Sequence, residues 1–268
     1  VMVLKYQIIP DDEYTQQVNE KVAASFPQGS NIRTATHLSD LYTCLLKAWG
    51  KRQIPEAEWV GHGEDEDGDP LLQWNQGLQF EALVSEGSKQ SVSAYCFKCR
   101  AVSHPIRNPD GSEQAVCPVC SNRWLLGTPD YEIDGIIHEA KQTRKSQRAG
   151  PANAEWWIEQ LAGYLLYQRR SGRGQAWGRL VVNWLMGDYG SRKKGVRPRP
   201  PRSSINAYRI DFSSMTDENW NEWEGELLRR KQLVEGDIRP QLSFPGAATI
   251  DSPKYPWECA SCPVGKPL

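Results

Sequence analysis

Apolar positions recur along this chain with two periods, one helical and one strand-like. Leu41, Leu45, Leu46 and Trp49 share one side of a helical stretch, and Ser39 stands where a capping side chain would begin it. A helix is therefore expected from Ser39 to about Gly50. A second helix is expected over 71–85, with Leu72, Leu78, Phe80, Leu83 and Val84 facing inward and Glu81 among them. The runs 124–131 and 136–141 have strand character and are joined across Asp134-Gly135, a dipeptide favoured in tight hairpin turns. Helical spacing returns over 153–170, with Asn153 as the expected cap and Trp157, Leu161 and Leu165 as the packing stripe. Strands near 176–186 and 205–212 and a helix over 216–235 complete the pattern, while Val18, Val22 and Phe26 keep helical spacing within a mixed N-terminal stretch. This order predicts an α/β fold in which a central mixed sheet is flanked by helices.

Composition changes the picture in three ways. At 268 residues and 39% hydrophobic content, the chain can bury the core of one domain with appendages. A mean hydropathy of −0.63, with no apolar run near the roughly 18 residues of a membrane span, predicts no membrane association. The start Val1-Met2-Val3-Leu4-Lys5 lacks a signal-peptide layout, which makes the cytoplasm the expected location. The net charge of −1 gives no global field for nucleic acid, so any such contact must be local. Two basic runs could supply it: Lys141, Arg144, Lys145 and Arg148, and then Arg192, Lys193, Lys194, Arg197, Arg199 and Arg202. Either run alone is more often a solvated loop, and its placement beside candidate catalytic residues is what favours a phosphate contact. The acidic run 64–69 resembles a calcium loop but lacks its central glycine, so an exposed acidic loop is expected there.

Seven cysteines in a cytoplasmic chain point to metal rather than disulfides. Cys96, Cys99, Cys117 and Cys120 form two Cys-x-x-Cys knuckles with 17 residues between them, the spacing of a zinc ribbon. Four thiolates would close the ion's coordination, so that site is expected to be structural. Cys259 and Cys262 form a third pair in the tail, and Cys44 stands alone on the first helix.

The remaining chemistry lies in three short runs: Gly127-Thr-Pro-Asp130, Glu139-Ala-Lys141, and Gln160 with Tyr164. Side chains alternate along a strand, so Glu139 and Lys141 share a face that His138 and Ala140 do not. Asp130 on the neighbouring strand could converge with Glu139 on one cation, with the Ala140 carbonyl as a further oxygen donor. Such an ion would be Mg²⁺ or Mn²⁺, set to polarise a phosphodiester, with Lys141 stabilising the developing charge. By themselves, Glu139 and Lys141 read as a surface ion pair with Asp130 in a turn, because an acid-x-Lys triplet is too common to outweigh that reading. Gln160 and Tyr164, four residues apart, share one helix face.

In that order, over residues 37–262, these runs resemble the RecB-like branch of the PD-(D/E)XK nuclease superfamily, which includes the AddB nuclease domain and CRISPR-associated exonucleases. The resemblance implies a restriction-endonuclease-like core with Asp130, Glu139 and Lys141 as catalytic residues and Gln160 and Tyr164 as an accessory motif. Glu81 falls where many members carry a histidine metal ligand, which gives Glu81, Asp130, Glu139 and Ala140 as the implied Mg²⁺ or Mn²⁺ set. It further implies a [4Fe-4S] cluster on Cys44, Cys259 and Cys262, whose fourth ligand would fall at Leu268. The implied division is a 1–36 extension, a 37–268 nuclease domain, and a zinc-ribbon insertion at 92–124. Arg144, Lys145, Arg192, Lys193 and Lys194 are the expected DNA contacts. The implied activity is hydrolysis of DNA, single-stranded or at strand ends. The competing readings are a non-catalytic DNA-binding subunit for recombination or CRISPR-adaptation partners, and a site-specific restriction-type endonuclease.

Overall fold

The computed structural model describes residues 4–22, 36–42, 44–53, 77, 80–85, 92–104, 116–143, 147, 150–185 and 203–236. Strand β1 (Gln7–Pro10) leads into helix α1 (Asp12–Val22), and after a 3₁₀ turn (Leu38–Leu41) comes helix α2 (Leu45–Gln53). Residues 80–84 are helical. Strands β2 (Ser93–Cys96), β3 (Ala101–Ser103), β4 (Leu125–Gly127), β5 (Tyr131–Ile133) and β6 (Ile136–Thr143) follow. A second 3₁₀ turn (Pro151–Asn153) precedes helix α3 (Glu155–Arg170), and strands β7 (Trp177–Trp184) and β8 (Ser204–Asp211) lead to helix α4 (Asp217–Glu235).

The strands form two sheets. Five run in the order β1-β8-β7-β6-β5, and three run β3-β2-β4. In the larger sheet β6 and β7 are parallel while the other neighbours are antiparallel, so it is mixed. A parallel neighbour needs a crossover, and α3 provides it by packing on both β6 and β7. Alternation then sorts the side chains. Ile137, Leu180, Val182, Trp184 and Ile210 face the core shared with α3, α4 and the first 3₁₀ turn. Tyr131, Ala140, Val181 and Ala207 face a smaller cluster with Tyr14, Phe80 and Val84. The α/β class with a mixed sheet and flanking helices is thus the observed architecture, and no helix among the described residues is long and apolar enough to cross a membrane.

Several local expectations need correcting. The apolar run 124–131 is two strands in two different sheets: β4 pairs β2, and β5 pairs β6. The break falls at Thr128-Pro129-Asp130, where Pro129 has no amide to continue a ladder. Asp130 accordingly sits in a bend before β5 rather than within a strand. The helix expected from Ser39 is a 3₁₀ turn followed by α2, with His37 as cap because Asp40 accepts the His37 amide at 3.0 Å. Asn153 is not the cap of α3, since Pro151 opens a 3₁₀ turn that encloses it and leaves Ala154 at the boundary. The helix over 216–235 is as expected, with the Thr216 side chain accepting from the Asn219 amide.

The N-terminal stretch is joined to the sheet. Strand β1 pairs β8 along its length, and Asp11 holds Arg179 of β7 at 2.7 Å beneath the Tyr14 ring. The cysteine-bearing sheet likewise takes β4 as its third strand, which places 125–127 with it.

Candidate active site and cysteine metal centre

Asp134 (φ 52°) and Gly135 (φ 77°) both occupy the left-handed region, the backbone of the two-residue hairpin turn. That turn sets the register of β5 on β6, with Tyr131 opposite His138. One step further along, Asp130 comes opposite Glu139, and directly opposed residues share a face. Asp130 Oδ2 accepts the Ala140 amide at 2.6 Å, which fixes its carboxylate against the 139–141 segment. Lys141 Nζ pairs with Glu139 Oε1. His138 faces the opposite side, stacked on Tyr131 with the Tyr14 ring tilted against it, as the alternation requires.

Glu139 is fully buried, and its Oε2 has no hydrogen-bond partner among the described residues. Burial is the first reason its carboxyl is held well above the ordinary range, and the Asp130 charge adds to that while Lys141 opposes it. Lys141 is drawn down by burial, but Glu139 and Asp130 more than restore it, so the ammonium persists. Glu81, on the helical segment 80–84, contributes to the field at both residues. Two carboxylates and a lysine therefore converge, with one buried oxygen left open. Such an oxygen costs about 1–3 kcal/mol unless something compensates it.

Gln160 and Tyr164 reach the same place from α3. Gln160 Nε2 donates to Tyr164 Oη at 2.9 Å, and Tyr164 donates in turn to the Thr128 carbonyl at 2.9 Å. The phenol is pushed well up, first by burial and then by the charges of Glu139 and Asp130, which puts it beside the acids as a neutral donor. The pair holds the bend that carries Asp130. Gly127 belongs to this arrangement because a Cβ there would meet the Tyr167 ring at 2.8 Å and the Tyr164 ring at 3.2 Å.

Sequence reasoning did not single out Trp156, whose ring lies 5.4 Å from Lys141 Nζ. It precedes Gln160 by four residues and so extends the Gln160 and Tyr164 stripe, a signal readable from helical spacing. Arg144, Lys145, Arg192, Lys193 and Lys194 lie outside the described residues, as do Cys259 and Cys262. Cys44 is buried at the start of α2.

Cys96, Cys99, Cys117 and Cys120 come together, with all four sulfurs within 4.8 Å of one another. The Cys96 to Cys120 separation is 3.4 Å and the Cys99 to Cys117 separation is 4.0 Å. Tetrahedral thiolates on one zinc ion, with Zn–S near 2.3 Å, stand about 3.8 Å apart. The set could therefore hold a metal ion such as zinc. Arg100 (φ 51°) and Ser121 (φ 58°) follow the second cysteine of each knuckle in the left-handed region, which turns each pair back on itself. Within the set, burial raises Cys117, but amides of Val119 and Cys120 outweigh it and bring the thiol down to about 7. Cys99 is pushed up to about 12, first by its hydrogen bond to Cys120 and then by burial.

The cysteine centre is tied to the core by Glu224 of α4, a residue that no sequence pattern marked. Tyr95, next to Cys96, donates to its Oε1 at 2.5 Å, Arg100 approaches the same oxygen at 3.1 Å, and Arg170 of α3 holds Oε2 at 2.5 Å. Tyr95 also stacks on Tyr167, whose hydroxyl donates to the Leu125 carbonyl.

No family model matches the sequence, and no curated protein matches it. Among solved structures, that of SSO0001 is similar over 94% of this chain and 92% of that one, at 12% identity and a TM-score of 0.41. A likeness that loose bears on neither fold family nor function.

Proposed function

We propose that this chain is a divalent-metal-dependent deoxyribonuclease of the RecB-like PD-(D/E)XK kind, cutting single-stranded DNA or strand ends. On this reading the mixed five-stranded sheet is a restriction-endonuclease-like core. The observation that carries the proposal is Glu139, buried in the middle of β6 beside Asp130 and Lys141 with one carboxylate oxygen unengaged. A hard cation suits that oxygen, and Asp130, Glu139, Glu81 and the Ala140 carbonyl are the oxygen donors that would hold Mg²⁺ or Mn²⁺. When bound, the ion supplies Lewis acidity to the phosphodiester and lowers the pKa of an attacking water.

The chain's own residues do the rest. Lys141 presents an ammonium to the charge that develops on the phosphoryl oxygens, and Glu139 holds it there. Gln160 and Tyr164 anchor the Thr128 carbonyl and so keep the Asp130 bend from drifting. The four knuckle cysteines take structural zinc, while Cys44 with Cys259 and Cys262 belongs to a [4Fe-4S] cluster. Arg144, Lys145 and the 192–194 run track the phosphate backbone of a DNA partner in the cytoplasm.

The test is cleavage of end-labelled single-stranded DNA by the purified chain in Mn²⁺ and in EDTA. Cutting is expected in Mn²⁺ alone, with Lys141→Ala inactive yet still able to bind the strand. Equal cutting by Lys141→Ala, or cutting that survives EDTA, would remove the proposal.

A further inference from the structure

Trp156 has no part in the chemistry proposed above, yet it stands over the site. It is the second residue of α3 and partly buried, and residues 156, 160 and 164 follow one another at four-residue spacing along one line of the helix. Its ring is set edge-on against Trp157 at 5.7 Å, and Trp157 in turn meets Trp184 of β7 edge-on at 6.2 Å, both of them buried. The core therefore locates Trp156 although part of its side chain reaches solvent. Lys141 Nζ lies over that ring, 5.4 Å from its centroid, within the roughly 6 Å over which an aromatic face attracts an ammonium.

The ring matters because Lys141 has few partners. Burial disfavours its ammonium, and the charges of Glu139, Asp130 and Glu81 outweigh that cost. Its one hydrogen-bond acceptor among the described residues is Glu139 Oε1. All three acids belong to the oxygen set proposed for Mg²⁺ or Mn²⁺, so a dication there would draw on the same charges that hold Lys141 and would repel its ammonium. A hard cation prefers oxygen donors and makes no such claim on an indole face. Trp156 is thus the attraction that stays with Lys141 when the acids are engaged. The Lys141 side chain is 16% exposed, so loss of the ring would let its flexible four-carbon stem swing the ammonium out to water.

We infer that Trp156 is a positioning residue for Lys141: its π face holds the ammonium beside the acidic cluster when Asp130, Glu139 and Glu81 are committed to a divalent cation. Trp156 acts through Lys141 and touches no reacting atom. The inference rests on the nuclease reading for the reaction that Lys141 serves, but the hold itself is measurable without cleavage.

In NMR spectra of the full chain labelled with ¹³C at lysine Cε, Lys141 is identified by the signal that Lys141→Arg loses. Above the ring, its Hε protons should lie upfield of those of the other lysines, in EDTA and in Mg²⁺ alike. Trp156→Phe should keep an upfield signal. In Trp156→Leu the shift should vanish, and on adding Mg²⁺ the signal should sharpen to that of a freely rotating lysine. With single-stranded DNA in Mn²⁺, Trp156→Leu should lower kcat roughly tenfold, the scale of one desolvated cation–π contact, and leave KM within about twofold. Trp156→Phe should recover most of that loss. No upfield shift in the wild type, or a Lys141 signal that stays restrained in Trp156→Leu with Mg²⁺, would overturn the inference. So would an undiminished kcat or a defect confined to KM, the latter making the ring a contact for the strand. Any of these outcomes alongside wild-type cleavage removes the role of Trp156 alone. A Trp156-dependent upfield signal in a wild type that cuts nothing leaves the hold and removes the nuclease.

Discussion

The carboxylate cluster and the cysteine cluster are two groups of side chains in one molecule, and they are held in different ways. The four sulfurs come from two local turns and already stand at near-tetrahedral separations. The acids face each other across the β5–β6 hairpin and are held by the protein itself, Asp130 by the Ala140 amide and Glu139 by Lys141. A set preformed for soft coordination stabilises a fold, whereas a set that carries its own counter-charges and leaves one buried oxygen open is poised for exchange. On the proposed reading the first is a brace and the second is a tool.

The largest expected effect separates the two. Glu139→Gln keeps the side chain's shape and removes the charge, so cleavage should fall by roughly 10³-fold or more while the melting temperature moves by only a few degrees. The rise in melting temperature caused by Mn²⁺ should disappear in the same variant. If Glu139→Gln unfolds the protein as readily as loss of a cysteine, the contrast fails. Cys96→Ser should behave in the reverse sense. Metal stoichiometry by elemental analysis should drop by one ion, and stability in urea should fall on the order of 4 kcal/mol, the scale of losing a structural metal.

The sequence revealed these two sites unequally, for a physical reason. The knuckles were legible because their geometry is written in spacings of two residues, and the hairpin because Asp134-Gly135 needs the left-handed backbone that it adopts. Glu139 and Lys141 on one face, and Gln160 with Tyr164 on another element, were legible from strand and helix periods. The division of 124–131 between two sheets was not, since Leu125, Leu126 and Tyr131 read as one apolar run and only the pairing partners distinguish them. Glu224 was invisible because its significance lies wholly in partners far along the chain, Tyr95, Arg100 and Arg170. Ser39 and Asn153 were sound capping residue types displaced by neighbouring 3₁₀ turns.

Glu224 is where the contrast can be sharpened, because it joins brace to core. Removing one partner of a buried charge network costs about 3 kcal/mol, so Glu224→Gln should lower stability by roughly that amount. The loss should depend on the brace. In a double-mutant cycle with Cys96→Ser, the combined effect is expected to fall short of the sum by about 1 kcal/mol or more. Strict additivity would mean that the cysteine centre and the α3–α4 core are energetically independent.

The smallest effect concerns the tool alone and is read by pH. Burial and the Asp130 charge raise the Glu139 carboxyl above its ordinary value of 4.5. In EDTA, therefore, the stability linked to its retained proton is complete below that value and is lost as pH rises through the folded-state value. The slope for one proton is at most about 1.4 kcal/mol per pH unit. Lys141 is raised from 10.5, so its contribution persists through this window and fades only at higher pH. As pH rises above about 4.5, urea titrations should show the wild type losing stability relative to Glu139→Gln, with Mn²⁺ restoring more at the upper end because it takes the proton's place. Cys96→Ser should keep this pH difference, since its sulfur belongs to the other set. A wild type and a Glu139→Gln variant with parallel pH profiles would mean that Glu139 is already ionised without a cation, and that the open oxygen exerts no pull on one.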